Sequence, residues 1–181
     1  ITLKEAYGSA DIIKLFPKPD IPTFPQTLLS SQVSGLSQSQ ITILLSTQIL
    51  SFTPIQFTGF SPLQIQYITA ANISRLYTSP LLVLNTIQIL NLQKLQLQSL
   101  LSTQIQALLP SQISIIDPSN FQNTFSLLQI SSLTNTQINS LTIQQFQNIS
   151  TIVITNLTAT QIGNINVNSI INLYDNQFDA I

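Results

Sequence analysis

From Leu29 onward the chain is written in a single eight-residue unit, and that period constrains its fold more than any other feature. Successive eights read LSSQVSGL, SQSQITIL, LSTQILSF, TPIQFTGF and so on to LPSQISII, which ends at Ile116. A nine-residue unit with one inserted residue, DPSNFQNTF, covers 117–125, and seven more eights run from Ser126 to Ile181. These 19 units account for every residue of 29–181. The fifth residue of each unit is apolar, from Val33 to Phe178. So is the last, from Leu36 to Ile181, with Phe125 holding that place in the nine-residue unit. The consensus is (S/T)xxQIxxL.

The columns point to a short helix in every unit. Position 1 is Ser, Thr, Asp or Asn in 12 of the 19 units, as in Ser37, Thr53 and Thr134, and these are the residues that cap helix N-termini. Position 4 is Gln in 14 units, so Ser/Thr-x-x-Gln recurs as a capping box. Pro54, Pro62, Pro110 and Pro118 stand at position 2, where the first turn of a helix has no use for an N–H. Positions 5 and 8 then share one helical face and form an inward apolar pair.

One continuous helix is excluded, because eight residues advance about 800° and the apolar stripe would rotate about 80° per unit. The chain turns within each unit. Two apolar anchors cannot offset the entropy of ordering eight backbones, so units are stable only by stacking on a shared core, which is the logic of a solenoid. The expected fold class is therefore a repeat solenoid, an all-α superhelix of short helices. A β-solenoid is the alternative, since Ile, Thr, Phe and Val favour strands and an Asn/Gln column can form a ladder between coils. Residues three apart face opposite sides of a strand, however, and positions 5 and 8 are three apart.

Residues 1–28 differ in kind. Lys4, Glu5, Asp11, Lys14, Lys18 and Asp20 make up six of the chain's eleven charges, and Pro17, Pro19, Pro22 and Pro25 form an extended connector. SADIIKLF at 9–16 keeps apolar fifth and eighth positions, so 1–28 is expected to be a charged N-terminal cap containing a degenerate repeat. The chain begins at Ile1, the expectation for a processed or partial product.

Composition excludes several function classes. With 5 Lys+Arg scattered along the chain there is no basic patch for nucleic acid. With no His and no Cys, neither a nucleophile–base pair nor a metal cluster can be assembled, and no catalytic, cofactor or metal residues are expected. Asp175 and Asp179 are four apart but read as solvated surface. Polar residues interrupt every apolar run before it reaches the length of a membrane-spanning helix. Asn72, Asn148 and Asn156 begin Asn-x-Ser/Thr sequons and are candidate glycosylation sites. Tyr67, Tyr77 and Tyr174 would make a sugar-stacking platform only if they cluster, and the Thr134/Thr136 and Thr158/Thr160 pairs are too few for an ice-binding face. The Gln column reads as structural, serving caps or a ladder.

LSTQIQAL, TNTQINSL and TATQIGNI resemble the TTAQVAAL-type octapeptide arrays of large bacterial surface and adhesin-like proteins. The likeness covers 29–181 and implies a surface or fibre role without enzymatic activity. The expected function is thus structural: a building block of an extracellular fibre, sheath or adhesin stalk, self-assembling by repeat stacking. The alternative is an adhesin module whose polar face binds glycan or another polymer. The array reaches Ile181 at the end of an intact unit with no polar terminal repeat. A homopolymer is therefore expected in which this open end packs on residues 1–28 or on the flank of another subunit.

Overall fold

The structure, a computed structural model, describes residues 28–181. The expected N-terminal cap, its degenerate repeat and its connector lie outside these residues, apart from Leu28. The chain divides into two compact units, Ile1–Leu92 and Gln93–Ile181. Each is a repeat solenoid of short helices, and no strand occurs among the described residues, so the β-solenoid alternative falls away.

The first unit holds α1 (Ser30–Val33), α2 (Gln38–Thr42), α3 (Ser46–Leu50), α4 (Pro54–Phe57), α5 (Pro62–Ile65), α6 (Ala70–Ile73), α7 (Thr78–Leu82) and α8 (Thr86–Leu90). The second holds α9 (Lys94–Ser99), α10 (Ser102–Ala107), α11 (Pro110–Ile113), α12 (Ser119–Asn123), α13 (Leu127–Ser131), α14 (Asn135–Ser140), α15 (Ile143–Gln147), α16 (Thr151–Ile154), α17 (Ala159–Gly163), α18 (Val167–Ile170) and α19 (Asp175–Phe178).

One octad builds one helix, and the same few bonds recur. Position 1 is extended, as in Ser37 (φ −76°, ψ 162°), and its oxygen caps the fourth residue, Ser37 Oγ accepting from Gln40 N at 3.3 Å. Pro54, Pro62 and Pro110 take the first helical position. The helix closes tightly, the position-8 N–H donating to the position-5 carbonyl: Leu36 to Val33 at 3.0 Å, Leu108 to Ile105 at 3.1 Å. Helices are four to six residues long because the next extended position redirects the chain.

Redirection stacks the helices. Within the first unit α4 packs on α1 and on α7, α6 on α3, and α8 on α5. Within the second, α13 packs on α10, α14 on α11, and so on to α19 on α16. Each of these helices thus meets the third one along. Columns 5 and 8 form the core, as Ile41, Ile49, Phe57, Ile138 and Phe146 show at 0% exposure. In the first unit Phe52, Phe57 and Phe60 form an aromatic cluster, with ring centroids 5.3–6.1 Å apart.

The nine-residue unit departs from the expected assignment at its end. Thr124, not Phe125, fills the buried eighth slot, and Phe125 is pushed half out, its ring 5.2 Å from that of Phe121. The inserted residue therefore lies after the eighth position, where the chain is already extended and can bulge without shifting the core columns. A cavity of about 10 Å³ remains beside it, lined by apolar side chains including Ile105, Phe121, Phe125 and Ile130, room for about one water at most.

Candidate functional site

The most chemically distinctive feature is the buried glutamine column. Gln88, Gln96, Gln104, Gln137 and Gln145 are each 2% exposed or less, and no buried side-chain polar atom among the described residues lacks a partner. Each glutamine serves two ends of the fold. Its Oε1 accepts from the position-1 N–H of its own unit, as at Ser37 (2.7 Å), Thr134 (2.8 Å) and Thr142 (2.9 Å). That bond persists where position 1 has no capping oxygen, as at Leu45, Leu101 and Leu109, each 2.8 Å from its glutamine, so half of the capping box survives there.

The other end reaches back one coil. Gln64 Nε2 donates to Leu36 O at 2.7 Å, and Gln88 Nε2 to Phe60 O at 2.7 Å, both 28 residues earlier. In the second unit Gln137 bonds Leu108 O and Gln145 bonds Ile116 O at 2.7 Å, now over 29 residues because the nine-residue unit intervenes. A further contact goes to the position-5 carbonyl, Gln145 Nε2 to Ile113 O at 2.9 Å. One amide thereby satisfies the orphan N–H that opens its own helix and the orphan C=O that closes a helix a coil away. Because the interval of 28 falls between three and four octads, a coil comprises that number of units.

A second set of amides ties coils on the outside. Gln66 Nε2 donates to Asn91 Oδ1 at 2.7 Å in the first unit. In the second, Asn139 Nδ2 donates to Asn164 O at 3.2 Å and Gln147 Nε2 to Asn172 O at 2.7 Å. All three join position 6 to position 7 three octads later, across 25 residues. Sequence reading missed this outer tie, whose signal is the preference of those columns for Asn and Gln.

The candidate glycosylation sites differ in setting. Asn72 is 4% exposed. Its Nδ2 donates to Leu44 O at 2.9 Å and its Oδ1 accepts from Ser46 Oγ at 3.1 Å, so it stands in for a column glutamine. A glycan on that nitrogen would break the coil-to-coil bond. Asn148 is half-buried and Asn156 exposed; their Nδ2 atoms donate to Gln144 O (2.8 Å) and Ile152 O (2.7 Å).

The remaining candidates sit on the surface or in local caps. Tyr77 and Tyr174 are exposed, and Tyr67 and Tyr77 make no ring contact with each other. Thr134 and Thr136 hydroxyls bond each other at 3.1 Å, whereas Thr158 caps Gln161. Arg75, Lys94, Asp175 and Asp179 are exposed, and no group of His, Cys, Asp or Glu among the described residues could hold a metal. Asp117 is an exposed cap: the Ser119 hydroxyl (2.6 Å) and backbone N–H (2.8 Å) hold its carboxyl below the usual carboxylate range. No helix among the described residues is long and apolar enough to cross a membrane.

The last three units differ from those before them in what the described residues supply. The position-8 carbonyls of Leu157, Ile165 and Leu173 accept no bond among the described residues, whereas Leu108, Ile116 and Ile149 each receive a glutamine amide. Column 5 emerges in step: Ile162 and Ile170 are half-buried and Phe178 is 58% exposed.

Comparison of the chain with protein-family models, with curated proteins and with solved structures finds no match.

Proposed function

We propose that the protein is a structural building block of an extracellular fibre, sheath or adhesin stalk, assembling through the stacking of octapeptide coils. One observation carries this reading: the groups of the repeat that bear chemistry are engaged in holding coil to coil. The column amides bond backbone of the preceding coil, and outer amides bond the next. The likeness of LSTQIQAL and TATQIGNI to octapeptide arrays of bacterial surface proteins supports a location outside the cell. A sparsely charged surface supports association, since little repulsion opposes contact between copies.

Negative-stain microscopy and sedimentation velocity of the purified chain at micromolar concentration test the reading. Filaments or a ladder of oligomers are expected. Persistent monomers that instead bind oligosaccharides on a glycan array would replace it with the polymer-binding module.

A further inference from the structure

We infer that residues 150–157, STIVITNL, are a latent β-strand whose partner is the same segment of a second copy of this chain, the two pairing into a cross-β assembly once this octad opens. The inference goes beyond the structural role proposed above and does not depend on it. Thr151–Thr155 is the longest run of β-branched residues in the chain, five in succession. Such residues favour the pleated strand and lose rotamer freedom in a helix, yet here they supply α16 (Thr151–Ile154). Between Asp117 and Asp175 there is no charged residue, and after Pro118 that stretch holds no Pro. The two residue types that most often block strand pairing between chains are thus absent around the run.

The fold holds this octad by fewer bonds than its neighbours. Ser150 is extended (φ −68°, ψ 152°) but makes no side-chain cap, whereas Thr142 and Thr158, one octad either side, cap Gln145 N at 3.2 Å and Gln161 N at 3.1 Å. Val153 stands in the glutamine column, so the octad has no amide to reach back a coil. Gln145 and Gln161 land on Ile116 O and Leu133 O. Between those two acceptors, the carbonyls of Thr124 and Phe125 receive no bond among the described residues. The gap in the column therefore coincides with the bulge of the nine-residue unit. By contrast, the run Ile41–Ile43 lies in an octad that keeps both its Ser37 cap and Gln40. Ile152 is already 69% exposed, and opening the octad would release Ile154, now 0% exposed, onto the same strand face. Stacked copies would then align identical β-branched side chains in register, about 4.8 Å apart.

The test is to agitate the full chain a few degrees below its heat-denaturation midpoint and follow thioflavin T fluorescence, far-UV circular dichroism and fibre diffraction. Limited proteolysis with mass spectrometry then maps the resistant core. Wild-type chain should convert, after a lag, to a form with a reflection near about 4.8 Å and a resistant core that contains 150–157. Ile152→Lys alters an exposed position, so the native dichroism and unfolding midpoint should stay as they are. In the stacked form it places like charges in register, and the lag should lengthen about tenfold or more. Val153→Gln supplies the column amide and shortens the β-branched run, and should lengthen the lag as well. Leu128→Lys, at the same octad position as Ile152 and 70% exposed but outside the run, should convert as wild type does. Wild-type chain that never converts, a resistant core without 150–157, or equal lags for wild type and Ile152→Lys would overturn the inference. Filaments that keep the native helical dichroism bear only on the structural role, so the two readings fail separately.

Discussion

Replacing Gln145 by Glu isolates the coil-to-coil bond from the cap. Gln145 is 0% exposed; its Oε1 accepts from Thr142 N, and its Nε2 donates to Ile113 O at 2.9 Å and Ile116 O at 2.7 Å. Ile113 O also accepts from Ile116 N at 3.1 Å, so the side chain is the partner that matters most for Ile116 O. A carboxyl keeps the acceptor for Thr142. In its protonated form it can still donate to Ile116 O, so the loss at acid pH is one hydrogen bond, about 0.5–1.5 kcal/mol. Ionised, it places a buried charge against two carbonyls, and desolvation raises its folded pKa well above the unfolded value of about 4.3.

The sign follows from linkage. A raised folded pKa means that stability is fully present below about pH 4.3 and is lost as pH rises toward the folded value, at about 1.4 kcal/mol per pH unit. At pH 7 that adds up to roughly 3.7 kcal/mol to the acid-pH loss. Urea unfolding followed by circular dichroism at pH 4, 5.5 and 7 should show the variant's midpoint separating from wild type as pH rises. Gln106→Glu, at an exposed position, should show no such divergence. An equal deficit for Gln145→Glu at pH 4 and pH 7 would refute the bonding assigned to the column.

Other substitutions probe the core, the close approaches and the one perturbed carboxylate. Ile105→Asp, at a site 1% exposed, should lower the heat-denaturation midpoint sharply and unfold neighbouring octads together, whereas Gln106→Ala should leave it within about 0.5 kcal/mol of wild type. Gly59→Ala should destabilise by about 1–3 kcal/mol, since its Cβ would lie 2.7 Å from the carbonyl carbon of Ser30, a backbone atom that cannot step aside. Gly163→Ala meets nothing within 4 Å and should stabilise by about 0.5–1 kcal/mol; denaturant midpoints of the two should move in opposite directions. Asp117 has a lowered pKa, so its contribution is present above the unfolded value of 3.8 and lost as pH falls through the folded one. Asp117→Asn should therefore flatten the acid limb of the stability curve, measured as midpoint against pH from 2 to 5.

The sequence by itself determines the unit. Its period, the capping residues at Ser37 or Thr134, the prolines at 54, 62 and 110, and the apolar fifth and eighth columns are all local facts, because a capping box and an i,i+3 pair close within one octad. The column glutamines are legible as caps for the same reason. Tertiary structure alone decides where their second bond goes. The 28-residue interval depends on small rotations at each extended pair of positions 8 and 1, summed over several units, and no residue type states that sum. The register puts Asn72 in the glutamine column and Asn156 at position 7, but only the closed coil shows that the first amide is buried against Leu44 O while the second is exposed. Nor does spacing show that Thr124 takes the eighth slot from Phe125, since both choices keep an octad count and only the packing of neighbouring coils selects between them.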